Sequence, residues 1–263
     1  MEVIKRRYEA QSSESITLKD SLDLIISEEK DLELRVFLDL RGINEKKVLN
    51  VKVLDYARLK LIVFALGDNA SYELNVDLSK SSYIDLYTAD HFSGNLSAFK
   101  YINLKGEGSE AKIYEYVSAS KNNKVSGDFR MNHLNKNTFV NGKFYYLAKD
   151  EGNIEKNAIC SIEKGMSNSN SSESIKGVLL SEKSRIKSEP ILLIDFDDVH
   201  ANHGCAIGTL DSNEVYYLMS RGLTKEEATK IICRSLIVPF LDASSDKEFS
   251  DNASKYLEES LEV

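Results

Sequence analysis

The residues best placed to do chemistry in this chain of 263 residues lie in one stretch. Asp197-Asp198-Val199-His200-Ala201-Asn202-His203-Gly204-Cys205-Ala206-Ile207-Gly208 holds two of the four histidines and one of the three cysteines. Imidazole and thiol are ligands for soft and borderline cations, and an imidazole also relays protons near neutral pH. In a strand, side chains alternate between faces, so His203 and Cys205 share one face and His200 takes the other. His203 with Cys205 is therefore the geometrically allowed pair for a cofactor or metal, with His200 an outlying third candidate. The plainer accounts are a structural imidazole and a small buried hydrophobe. Asp195, Asp197 and Asp198 could serve a hard cation or acid–base chemistry, but a solvated face beside a turn accounts for them as well. Cys160 and Cys233 are expected to be structural, and His91 and His133 receive no role.

Other templates are absent. The chain has no GxxxxGK[ST] or GxGxxG phosphate loop, no GxSxG elbow, no HExxH and no CxxC. A protein-only zinc site of the usual kind is therefore not expected. Formal net charge is −8, which argues against nucleic acid as the main partner, because phosphate neutralisation needs a basic face. The irregularly spaced cysteines make no disulfide framework, and no run approaches membrane-spanning length. The first residues show no signal-type apolar region. These points lead to the expectation of a cytoplasmic protein without a membrane or nucleic-acid partner.

The elements that must position the site change character near Gly208. From about residue 15 to 207, short runs with period-two apolar placement follow one another, such as Leu32, Leu34, Val36, Leu38 and Leu40. Gly, Asn, Asp, Ser and Lys clusters separate them, with almost no Pro. Strands recurring about every ten residues fit a sandwich, a barrel or a solenoid of stacked rungs. The polar segment Ser167-Asn168-Ser169-Asn170-Ser171-Ser172 suits either stacking on rung edges or a solvated loop. After Gly208 the period becomes helical. Asp211 to Glu214 and Thr224 to Glu227 both have capping-box spacing, Gly222 is a C-terminal stop, and Pro239 should end or bend the second helix. A third helix is expected from about Asp246 to Leu261, with Phe249, Ala253, Tyr256, Leu257 and Leu261 on one side.

Several of these residues carry a resemblance. Ile162-Glu163-Lys164-Gly165, Gly177-Val178-Leu179-Leu180-Ser181, Lys187-Ser188-Glu189-Pro190, His203-Gly204, Ile207-Gly208, Tyr217-Leu218, Ser220-Arg221-Gly222-Leu223 and Glu226-Glu227-Ala228 resemble the C-terminal part of the SufB/SufD family. These are scaffold proteins of the SUF iron–sulfur cluster assembly machinery. The resemblance is specific from about residue 160 to 241 and continues in character back to about residue 15. It implies a mainly β fold, a right-handed parallel β-helix over residues 15–208 followed by a small α-helical domain over 209–263, with residues 1–14 as an N-terminal extension.

The resemblance is closer to SufD than to SufB. SufD-type chains have Ser-His-Gly at the positions of Asn202-His203-Gly204, and SufB-type chains have a Glu at the position of His203. Ala201 stands where a cysteine is often found, and Cys205 where alanine is usual. Family members commonly have a further N-terminal region. The implied function is a non-catalytic scaffold subunit working with the SufC ATPase and a SufB/SufD-type partner, as heterodimer or homodimer. ATP would be hydrolysed in the partner ATPase, with no ATP site in this chain. A transient iron–sulfur cluster or iron would sit at a subunit interface near His203 and Cys205. SufC would dock on the helical tail, at Tyr217, Arg221, Gly222, Leu223, Glu226 and Glu227. The alternative class is a β-helix carbohydrate-active enzyme or adhesin. Further expectations are that Val36, Leu38 and Leu193 face a continuous core, that one solenoid end meets the helical tail, and that residues 191–207 pair with a second chain.

Overall fold

The computed structural model describes residues 6–261. Residues 1–5 of the expected extension and 262–263 of the expected helical domain lie outside them. The chain alternates between two sheets. The first contains β1 (Arg6–Ala10), β3 (Leu22–Ile26), β5 (Lys47–Val53), β7 (Ala70–Leu78), β9 (Leu96–Leu104), β11 (Lys124–His133), β13 (Asn153–Ile162), β15 (Arg185–Lys187) and β16 (Pro190–Ile194). The second contains β2 (Glu14–Leu18), β4 (Asp31–Leu40), β6 (Arg58–Gly67), β8 (Tyr83–Phe92), β10 (Glu110–Ala119), β12 (Phe139–Ala148), β14 (Ser169–Leu179) and β17 (Val199–Gly208). Through β15 odd strands stack on odd and even on even; β16 then joins β13 and β17 joins β14, and the pairs are parallel throughout the described residues. The result is a flattened β-solenoid of about seven turns.

Inward side chains form columns along the axis. Leu34, Leu61 and Leu86 make one, with Ala111 and Val140 in a neighbouring column, all buried. Burying apolar columns on both inner faces is what holds each rung, since one rung alone cannot bury its apolar face. A second repeat is conformational. Glu29, Tyr56, Ser81, Gly108, Asn137 and Asn168 all adopt positive φ. Each donates its backbone N–H to a carbonyl in the next turn: Asp55, Lys80, Glu107, Lys136, Ser167 and Asp198. One left-handed corner thus recurs in six successive turns. Its residue type varies, because the ladder of hydrogen bonds offsets the cost of a left-handed side chain.

Four helices follow: α1 (Ser212–Ser220), α2 (Lys225–Arg234), α3 (Val238–Leu241) and α4 (Lys247–Glu259). Asp211 caps α1, Thr224 and Glu227 complete a reciprocal capping box on α2, Pro239 lies in the first turn of α3, and Asp246 caps α4. The chain after α1 runs back along the outer face of the even-strand sheet. Cys233, Leu236, Ile237, Phe240, Phe249, Ala253, Leu257 and Leu261 are buried there against Ile62, Phe64, Ala89, Tyr114, Tyr116 and Leu147. At the far end Asp246 accepts a 2.7 Å hydrogen bond from Ser15 and lies 3.7 Å from Arg35, in the first turns.

Three expectations need correction. The solenoid begins at Arg6, because β1 pairs with β3; residues 6–14 are part of the stack, not an extension. The helical tail covers a flank of the solenoid and not its end, because the outward residues of β6 and β10 are aromatic and aliphatic and need cover. Leu193 is 52% exposed, since its register partner Ser161 faces outward from β13. Strand β11 had no counterpart in the sequence reading. Residues 169–172 of the polar segment open β14, with Ser169 and Ser171 buried in the lumen, and Asn168 is a left-handed corner.

Candidate functional site

The last rung, β17, pairs with β14 on one side and with no described strand on the other. Its register places Ala201 next to Ser171, His203 next to Glu173, and Cys205 next to Ile175. Ser171, Glu173 and Ile175 are buried lumen residues, so Ala201, His203 and Cys205 continue the inward columns. With no further turn above them, His203 and Cys205 are exposed. His200 is beside the outward Asn170 and points away from the pair. The end of the solenoid therefore presents an imidazole and a free thiol from one face of one strand, beside an open strand edge.

The Cys205 sulfur leans toward the Ser188 carbonyl at 3.8 Å, and this partial burial holds its thiol above the usual value. A metal would have to displace that proton. Among the described residues no three His, Cys, Asp or Glu side chains converge as a metal site. Asp195, Asp197 and Asp198 are exposed and follow β16 in an irregular segment.

Beneath this end lies a group that the sequence reading missed. Glu173 is 2% exposed; its Oε1 accepts from the Ser171 hydroxyl at 3.5 Å, the Cys160 thiol adds to its electrostatic environment, and its Oε2 has no partner. Burial pushes the Glu173 carboxyl up to about 7 and the Cys160 thiol up to about 12. His133, also given no role, is fully buried in β11. Its Nδ1 lies 2.7 Å from Thr138 Oγ1, its Nε2 has no partner, and burial pushes its pKa down to about 4. The signal for Glu173 was the alternation itself: counting back by twos from Ile175 puts Glu173, Ser171 and Ser169 inside.

The middle of the lumen holds a different set. Lys100 Nζ is 2.8 Å from Glu115 and 3.0 Å from Asp90; Lys156 Nζ is 3.2 Å from Glu115. Tyr72 donates to Asp90 at 2.5 Å and Tyr146 to Glu115 at 3.0 Å. All six are buried. Lys156 reaches this cluster because Gly127, between Ala98 and Lys156 in the same column, has no side chain. A Cβ there would stand 1.9 Å from the Ala98 carbonyl oxygen, to which Lys156 Nζ donates at 3.4 Å. The two lysines hold the Glu115 carboxyl down at about 2 despite its burial.

The tail residues expected at an interface divide by environment. Tyr217 is 58% exposed and carries Arg221 over its ring at 5.3 Å. Gly222 has φ +97°, the left-handed stop after α1. Glu226 is exposed and Leu223 half-buried. Glu227 accepts from the Thr224 N–H at 2.8 Å and so serves the α2 cap. Helix α1 has no buried residue. Between its Val215, Tyr216 and Met219 and the strand-end residues Leu179 and Leu180 lies a cleft of about 640 Å³. Among the described residues no helix is long and apolar enough to cross a membrane.

Comparison with known proteins agrees with this architecture. Residues 17–236 match the family described as SUF system FeS cluster assembly, SufBD core domain. The iron–sulfur cluster assembly protein SufD of Bacillus subtilis (strain 168) is 42% identical over 96 residues, covering 36% of this chain and 22% of that protein. A SufBD family protein of Mycobacterium tuberculosis (strain H37Rv) is 25% identical over 197 residues, covering 73% of this chain and 23% of that protein. The SufB protein of Bacillus subtilis is 26% identical over 137 residues, covering 52% of this chain and 30% of that protein. The matched stretches thus span less than a third of these relatives' lengths.

Proposed function

Since the chain belongs to the SufBD core family of the SUF iron–sulfur cluster assembly system, we propose that it is a SufD-like, non-catalytic scaffold subunit on whose open end a cluster is assembled. The observation that carries this reading is the exposed pair His203 and Cys205 beside the unpaired edge of β17. An open strand edge is a template for pairing with another chain. The cluster is cargo here. Two donors fall short of the about four that a cluster takes, so a SufB/SufD-type partner pairing along β17 supplies the rest. The imidazole offers a neutral nitrogen; the thiol gives up its proton on binding. Ala201 removes a donor from the position two residues before His203, and Cys205 restores one on the same face.

The helical tail supports the second partner. Tyr216, Tyr217 and Met219 leave an apolar surface on α1 without an internal counterpart. Exposed aromatics with an adjacent arginine suit a protein interface. In this reading the SufC-type ATPase docks across Tyr217, Arg221, Leu223 and Glu226 and drives rearrangement at the open end, with ATP hydrolysed in the partner. The reading places the work in the cytoplasm.

The test is co-expression with an ABC-type ATPase and a SufB/SufD-type chain. Co-purification of all three, with iron–sulfur absorbance after anaerobic reconstitution, is the expected result. A chain that stays monomeric with both partners present would overturn the reading.

A further inference from the structure

The two charged clusters of the lumen differ in their counter-charges. In the middle, Asp90 and Glu115 face Lys100 and Lys156, so charge is balanced within the protein. In the last closed turn, Glu173 and Cys160 neighbour each other and Ser171, with His203 in the next rung beside Glu173; no Lys or Arg contributes to the environment of Glu173 or Cys160. One Glu173 oxygen has no partner although the residue is 2% exposed. A buried carboxylate without a cation is costly, and an unmade hydrogen bond adds to that cost. The lining is also unusual. Inward residues of β14 are Ser169, Ser171 and Glu173; the turn beneath has Thr138 below Ser169, and Val140 and Gly142 below Ser171 and Glu173. The turn nearest the open end therefore offers Ser171, Glu173 and Cys160 where the turn beneath it has Val140, Gly142 and Met131.

We propose that Glu173 and Cys160 form an internal binding site for a divalent transition-metal cation, one rung inside the open end of the solenoid. Carboxylate oxygen and thiolate sulfur together suit a borderline first-row cation. Cation binding expels the Cys160 proton, so a thiolate and a carboxylate balance a charge of two, and the lumen is left neutral. The Ser171 hydroxyl supplies a third oxygen. The rung beyond places Ala201, His203 and Leu192 next to Ser171, Glu173 and Cys160. Ala201 is small, and His203 is the first ligand a departing ion would meet. That the cation is iron rests on the assembly reading above; the site itself rests on Glu173 and Cys160.

Cobalt(II) tests this on the full chain, alone and reduced. In a Cys205→Ala background, where the exposed thiol cannot contribute, a thiolate-to-cobalt charge-transfer band is expected, and it should vanish when Cys160→Ala is added. Glu173→Gln, which preserves shape, should weaken cobalt binding by about tenfold or more, with the melting temperature unchanged or raised. Absence of the band in Cys205→Ala, or its survival in the double variant, would overturn the proposal, as would unchanged affinity in Glu173→Gln. Because cobalt is offered to the isolated chain, the result does not depend on whether the ATPase or a second scaffold co-purifies.

Discussion

The middle turns and the last turn of the solenoid are built on the same ladder, yet they treat polar groups in opposite ways. In the middle, Lys100, Lys156, Asp90, Glu115, Tyr72 and Tyr146 satisfy one another in a closed lumen. At the end, His203 and Cys205 occupy the same kind of inward column with nothing stacked above them. Glu173, one rung below, keeps an unpartnered oxygen. The difference teaches that an inward position in a solenoid is structural or functional according to whether another rung covers it.

The comparison can be broken first in the middle. Glu115→Ala removes the partner that Lys100 and Lys156 share, leaving buried ammonium groups underpaired. A loss of about 3–5 kcal/mol is expected in urea denaturation. A loss below about 1 kcal/mol would mean that the lysines swing out or that water enters the lumen. Phe240→Ala tests the flank in the same assay. Phe240 is 1% exposed and packs near Phe64, with centroids 6.3 Å apart. About 3 kcal/mol should be lost, with the helical tail becoming protease-sensitive before the solenoid.

pH separates two groups that share the last turns. His133 is held neutral, so between about 6.5 and about 4 the unfolded chain binds a proton that the native chain refuses. Its contribution is present above 6.5 and is lost as pH falls toward 4. Glu173 works with opposite sign. Between 4.5 and about 7 the native state holds a proton that the unfolded state has released, so its contribution is present at low pH and lost as pH rises through about 7. In Glu173→Gln, stability should therefore fall on acidification from 6.5 to 4, by up to about 1.4 kcal/mol per pH unit from His133. In His133→Gln it should fall on raising pH from 4.5 to 7. The same slope in both variants would contradict the assignment.

The smallest stability effect belongs to the end itself. His203→Ala and Cys205→Ala should each change stability by less than about 0.5 kcal/mol, because both side chains are exposed. Cys205 should react with a maleimide in the native state well before Cys160 and Cys233, which are buried. Equal reactivity of all three would mean that the lumen opens freely.

Much of this was legible in the sequence, for physical reasons that also mark where legibility stopped. Period-two apolar placement in β4, β6 and β8 reports inward columns directly, and Thr224 with Glu227 reports a helix start, because both patterns are local. The shared face of His203 and Cys205 follows from the same alternation. Strand β11 was missed because Gly127 and the polar residues around it interrupt the alternation. The recurrent corner was hidden because Glu29, Tyr56, Ser81 and Asn137 have only a backbone conformation in common. The inward lysines were invisible to a reading that sought apolar residues inside. The course of the tail depends on which surface needs cover, which no local pattern states.

The most direct measurement of the central claim is cluster assembly by His203→Ala and Cys205→Ala chains in cells that depend on this protein. The account predicts that activity of cluster-dependent enzymes falls about tenfold or more in the double variant, with protein level, far-ultraviolet circular dichroism and ATPase co-purification unchanged. Normal cluster assembly in that variant would contradict it: the open end would then serve only to join subunits, and the chemistry would lie elsewhere.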